Sequence, residues 1–219
     1  RHGEQLNPDV LVIGAGPAGA IAAATLNAAG LDVLVLERAH FPRFVIGESM
    51  LPRMMDILSE LNLVDHINTR GYIQKAGAVF TRGEETSTFD FADQYTEGAW
   101  DYTWQVPRAD FDKTLADAVA ARGVDIRYGH TVTSATLGDA PVVEYTDADG
   151  VAHTALPRFV VDASGYGRVL PRMLDLEAPS DLPPRCAIFT HVEGDKRPEG
   201  LEEGRIWVFI VRPDLWLWV

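Results

Sequence analysis

The apolar positions of this chain fall in short runs whose spacing switches between the two periods of regular structure. Val10–Ile13 is a four-residue aliphatic run closed by glycine, which predicts a buried strand. The following stretch, 17–29, is rich in alanine, opens on proline and stops at Gly30, the punctuation of a helix. Val33–Glu37 (VLVLE) reads as a second strand, so the chain begins with a βαβ unit. Met54, Ile57, Leu58 and Leu61 recur at helical spacing and predict an amphipathic helix over 52–61. Strands are expected over 72–81, 86–91 and 100–105. A helix follows over 110–122, with Phe111, Leu115, Ala118 and Val119 on one face and Gly123 closing it. Short strands are expected over 125–128, 131–137, 142–146, 151–155 and 159–161, with a hairpin signal at Asp149-Gly150. Pro171, Pro179, Pro183 and Pro184 mark a boundary or linker, and 187–192, 206–211 and 215–219 read as strands of another sheet.

Within the βαβ unit, residues 14–19 spell GAGPAG, a GxGxxG turn. It follows a strand, opens a helix and precedes a second strand ending in an acid, which is the context that gives this motif its meaning. Gly14 permits the tight turn, Gly16 lets backbone approach a pyrophosphate, and Gly19 lets helix and strand pack closely. Ala15, Pro17 and Ala18 complete the turn. The helix N-terminus would face phosphate with free N–H groups and the positive end of its dipole. Glu37 would accept hydrogen bonds from ribose hydroxyls and repel a 2′-phosphate. The turn alone does not separate FAD from NAD.

Composition narrows the partners. The formal net charge is −13 over 219 residues, which argues against a nucleic acid or an anionic membrane surface, since both require a basic face. A single cysteine, Cys186, forbids an intrachain disulfide, and with no signal-peptide pattern this fits a cytoplasmic protein. Beside a proline pair, Cys186 reads as a small buried hydrophobe. The uncharged run 10–31 is broken by glycines and Pro17 and reads as strand–turn–helix, not as a membrane span. The six histidines show no metal-ligand spacing, so no metal is expected. The start at Arg1 and the abrupt PDLWLWV end are those expected of a truncated chain.

Beyond Glu37 the chain runs into the loop ERAHFPRFVIGES (37–49), then PRADFDKTLAD (107–117) and DASG (162–165). With GAGPAG and Glu37, this ordered set resembles the FAD-dependent monooxygenase and halogenase superfamily. The resemblance implies an α/β, Rossmann-like, three-layer FAD-binding fold with an inserted or adjoining, mostly antiparallel β substrate domain. The expected division is 8–70 and 106–170 for the FAD-binding domain, 71–105 for a β-sheet substrate segment, and 171–219 for the start of a second substrate segment. It implies that Gly14, Gly16, Gly19 and Glu37 serve the ADP half of FAD, that Arg38 also binds the cofactor, and that Arg43 lies near its phosphates or adenosine. Ser49 would lead toward the flavin, Arg108 would contact the ribityl or pyrophosphate region, and the Val132 backbone would hold adenine. Asp162, Ala163 and Gly165 would line a second turn near the cofactor. For Arg43 and Arg108 the alternative is a surface ion pair of little energetic weight.

Lys75 stands in an apolar stretch, GYIQKAGAVF (71–80). On its own it reads as an outward-facing residue of a half-buried strand. Its KAGA context (75–78), with IGESMLPRMMDILSELNLVD (46–65) before it, resembles flavin-dependent halogenases. That resemblance implies a catalytic lysine beside the substrate, which hydrogen-bonds hypohalous acid or becomes a haloamine. It further implies reduced FAD from a separate flavin reductase, a halide ion as co-substrate, and a small electron-rich aromatic substrate. Trp216 and Trp218 in WLWV lie two apart, on one strand face, and match half of a W-x-W-x-I-P motif of those enzymes; as residues alone they read more readily as core. The alternatives are an FAD-dependent aromatic hydroxylase using NAD(P)H directly and a non-catalytic flavin-binding homologue. The polar TEGAWDYTWQ segment (96–105) disfavours a prenyl-lipid reductase.

Overall fold

The structure is a computed structural model that describes residues 3–94 and 100–219. In chain order the strands are β1 (Gln5–Leu6), β2 (Val10–Ile13), β3 (Val33–Glu37), β4 (Ile73–Lys75), β5 (Gly77–Arg82), β6 (Glu85–Asp90) and β7 (Thr103–Gln105). They continue with β8 (Asp125–Tyr128), β9 (Thr131–Thr136), β10 (Val142–Thr146), β11 (Ala152–Ala155), β12 (Phe159–Asp162), β13 (Ile206–Arg212) and β14 (Leu215–Trp218). The α-helices are α1 (Pro17–Ala28), α2 (Pro52–Glu60), α3 (Val64–Asn68), α4 (Phe91–Gln94), α5 (Arg108–Ala120) and α6 (Val169–Met173).

The chain divides into two compact units. The first runs to Val45 and resumes at Arg108–Ser180; the second comprises Ile46–Pro107 and Asp181–Val219. Residues 46–70, expected with the nucleotide-binding part, therefore group with the β-rich unit, and residues 171–180 group with the first.

The first unit is built on the parallel sheet β12-β2-β3-β8. Every residue of β2 and β3 is buried, as a parallel sheet covered on both faces requires. Successive side chains alternate in direction. Leu11, Ile13, Leu34 and Leu36 pack on Val132, Val143, Tyr145 and Ala155 of the second sheet, β1-β11-β10-β9. The alternate valines turn to the other face, where α1 lies on β2 and β3 and contacts α5. Alanines 20, 23 and 24 of α1 are fully buried, and their small size lets helix and sheet approach closely. The result is the expected three-layer α/β arrangement.

The second unit holds the sheet β14-β13-β5-β6, antiparallel except for the β13–β5 pair, and the two-stranded β4-β7. The single strand expected over 72–81 is broken at Ala76 into β4 and β5, which belong to different sheets. Gly77 explains the break point: a Cβ there would stand 2.0 Å from the Phe89 carbonyl oxygen, so only glycine fits where β5 meets β6. Segment 187–192, expected as a strand, has no regular structure, and Ile188 is 96% exposed. Cys186, expected to be buried, is exposed in the same stretch. Residues 96–99 of the polar TEGAWDYTWQ segment lie outside the described residues.

Candidate functional site

The GAGPAG turn is fixed by backbone geometry. Gly14 has φ +99°, and a Cβ there would meet the Ala163 carbonyl oxygen at 2.7 Å. This places the DASG turn directly against the first glycine, as parallel pairing of β12 with β2 dictates. A Cβ on Gly19 would stand 1.9 Å from the Gly14 carbonyl oxygen, so the third glycine serves helix–turn packing. Gly16 differs. Its backbone is ordinary (φ −64°), and the nearest heavy atom to a Cβ there is Arg43 Nη2 at 3.5 Å, a normal contact. Nothing in the protein demands glycine at 16; a ligand lying against that Cα would.

Glu37 is buried at the end of β3, and both carboxylate oxygens are engaged. Ala15 N donates to Oε2 (2.9 Å) and Ala39 N donates to Oε1 (2.8 Å). The acid thus clamps the turn to the strand end, where Gly14 N also donates to the Leu36 carbonyl (2.8 Å). Each oxygen keeps a free lone pair for a hydroxyl donor. Arg38 next to it is exposed. His130 N donates to the Glu37 carbonyl (3.0 Å), which brings the start of β9 to the same edge; buried Val132 follows two residues on. Desolvation pushes Tyr128, beside Phe41 at 5.0 Å between ring centroids, up to about 12.

Asp162 has its oxygens turned inward: Ser164 N donates to Oδ1 (2.9 Å) and Leu170 N to Oδ2 (2.7 Å). It shapes the second turn, leaving Gly165 (φ +57°) with open space around its Cα. Arg43 and Arg108 are not surface pairs. Both hold Asp112, a 1%-exposed carboxylate that the motif reading missed, although the Arg-x-x-x-Asp spacing in RADFD is a helical i,i+4 pair.

These features fit an anionic dinucleotide. The N-terminus of the twelve-residue helix α1 has no side-chain cap, Gly16 leaves space for a ligand, and a guanidinium nitrogen flanks it. Residues 7–184 match the family described as FAD binding domain. The chain belongs to the FAD-binding domain family. Its FAD-binding fold is shared with a flavoprotein/dehydrogenase from Cytophaga hutchinsonii, 45% identical at a TM-score of 0.88, over 97% of this chain and 52% of that one. The myxobacterial chondrochloren halogenase CndH is 31% identical at a TM-score of 0.81, over 97% of this chain and 49% of that one. A tryptophan 2-halogenase from Chondromyces crocatus is 30% identical over 213 residues, 95% of this chain and 40% of that protein. The chain therefore spans about half or less of the length of these relatives.

The second unit holds Lys75. The strand reading that turned it outward is overturned: Lys75 is 3% exposed. Its Nζ donates to the Met50 carbonyl at 2.8 Å and lies 5.5 Å from the Phe91 ring centroid, within cation–π range. Burial lowers its pKa from 10.5 to about 8. Thr103 stands directly opposite Lys75 across β4 and β7, so the two side chains share one face. Thr103 is fully buried and its Oγ1 has no hydrogen-bond partner. Ser49 bridges to Gln105 on the other side of β7, and its Oγ is also buried without a partner. Trp216 and Trp218 lie side by side on β14 with ring centroids 5.8 Å apart, both about half exposed.

Proposed function

We propose that the protein is an FAD-dependent halogenase acting on a small electron-rich aromatic such as an indole, phenol or pyrrole, with Lys75 presenting the electrophilic halogen. The observation that carries this reading is the Lys75 amine: buried on a β-strand, without a carboxylate partner, roofed by an aromatic ring and tied only to a backbone carbonyl among the described residues. A structural lysine in a core would be matched by an acid. Reduced FAD with dioxygen supplies the oxidising equivalent that turns halide into hypohalous acid.

In this reading a separate flavin reductase delivers the reduced FAD. The turn 14–19, Glu37, Arg43, Arg108 and the Val132 backbone hold the nucleotide, while Arg38 and the 162–165 turn border it. At neutral pH the cationic Nζ donates a hydrogen bond to hypohalous acid. The neutral fraction, about a tenth at pH 7 for a pKa near 8, can exchange an N–H for N–halogen with release of water. Similarity to halogenases over most of this chain supports the reading.

A second reading is a flavin oxidoreductase that ignores halide, favoured by the 45% identity to a flavoprotein/dehydrogenase. One experiment separates them. The full protein is incubated with FAD, a flavin reductase, NADH, oxygen and bromide, with indole as acceptor, and the product mass is read. A brominated product is expected, and Lys75→Ala should abolish it while FAD binding and hydrogen peroxide release persist. A hydroxylated or dehydrogenated product formed equally without bromide would overturn the halogenase reading.

A further inference from the structure

The buried carboxylate of Asp112 sits in the first turns of α5 and takes three hydrogen bonds from two arginines. Arg108 donates through Nε to Oδ1 (2.7 Å) and through Nη2 to Oδ2 (3.0 Å); Arg43 donates through Nη1 to Oδ2 (2.8 Å). A charge cluster of this kind need not exist for stability, because apolar residues of similar volume often serve as well. What sets it apart is where it leaves Arg43.

The Arg43 guanidinium is fixed twice. Nη1 is held by Asp112, and the group lies over the Phe41 ring, Cζ 4.5 Å from the centroid. A planar fork held at one nitrogen and along one face has its remaining direction decided. The remaining terminal nitrogen, Nη2, is the heavy atom closest to where a Cβ on Gly16 would stand, at 3.5 Å. We propose that Asp112 is a positioning residue for the FAD diphosphate: it does not touch the cofactor, but aims Arg43 Nη2 at the Gly14–Gly19 turn. The inference needs only that the protein binds FAD and holds whether or not it is a halogenase.

The test is FAD affinity, measured on the flavin-stripped full protein by fluorescence titration, with thermal melts run in parallel. Asp112→Asn, nearly isosteric, should weaken FAD at least about tenfold, equivalent to about 1.4 kcal/mol. Arg43→Gln should do likewise. In the double variant the loss should fall short of the product of the single losses, because the carboxylate acts through the arginine. A folded Asp112→Asn variant with unchanged FAD affinity overturns the proposal, as do single losses that simply multiply. If Asp112→Asn does not fold, Arg43→Lys decides. An ammonium keeps the charge but cannot hold Asp112 and face the turn together, so at least fivefold weaker FAD is expected, and unchanged affinity overturns it.

Discussion

Replacing Lys75 by methionine keeps the length and apolar stem of the side chain and removes the buried charge. The pKa drop from 10.5 to about 8 means that the folded state carries the ammonium at a disadvantage of about 3 kcal/mol. Against this, methionine leaves the Met50 carbonyl without its donor, a loss of about 1–2 kcal/mol. At pH 7 the variant should therefore be more stable by about 1–2 kcal/mol, or a few degrees in melting temperature for a chain of this size. The sign with pH is fixed by linkage. Between about pH 8 and 10.5 the unfolded chain binds more protons at Lys75 than the folded one, so the wild type gains stability as pH rises. Above 10.5 both states hold a neutral amine, the penalty is gone, and the variant should be the less stable by the value of the lost hydrogen bond. The two melting curves must cross. Tyr128 and Tyr145, both pushed up to about 12 chiefly by burial, lose stability in the alkaline range but do so in both proteins and cancel in the difference. Denaturant midpoints of the two proteins at intervals from pH 7 to 11 provide the assay. A difference that stays constant across that range, or a variant destabilised by several kcal/mol at pH 7, would refute the buried-ammonium reasoning.

The three glycines of the nucleotide turn should separate fold from ligand. Gly14→Ala and Gly19→Ala collide with backbone and should lower stability by about 2 kcal/mol or more in urea titrations, whereas Gly16→Ala should melt within about 1 kcal/mol of wild type yet bind FAD at least tenfold more weakly. Thr103→Val removes a buried hydroxyl that bonds nothing in the structure, so it should be neutral or stabilising by up to about 2 kcal/mol in the same titration; a clear loss would reveal a partner for that hydroxyl.

Much of the fold was legible because it rests on local rules. The VLVI and VLVLE runs, the GAGPAG turn and the closing Gly30 each carry their own conformational signal, and β2, α1 and β3 form where those signals lie. Elements that depend on a distant partner were less legible. Segment 187–192 has the apolar composition of a strand but no regular structure, and the run 72–81 splits because Gly77 must meet the Phe89 backbone, twelve positions further along the chain. The same limit applied to the site. Gly14, Gly19 and Glu37 announce themselves in sequence, whereas Asp112 matters only because Arg43, sixty-nine positions earlier, folds back onto it.

Lys75 shows how one position joins these levels. Read as one strand over 72–81, the run offers Lys75 no partner to bury it, which is why it reads as outward-facing; the structure instead ends β4 at Lys75. Pairing with β7 sets the face, and the neighbouring Met50–Trp104 contact, in which Met50 N donates to the Trp104 carbonyl at 3.2 Å, places the Met50 carbonyl within reach of the amine. Once that geometry is fixed, the low-dielectric surroundings bring the amine toward neutrality without any acidic partner. An amine near its titration point can donate a hydrogen bond or act as a nucleophile, and a small change of pH moves it between the two. If haloamine formation carries the transfer, the halogenation rate should rise with pH up to about 8 and then level off. If hydrogen bonding by the ammonium carries it, the rate should stay nearly level to about pH 7 and fall as pH rises past 8.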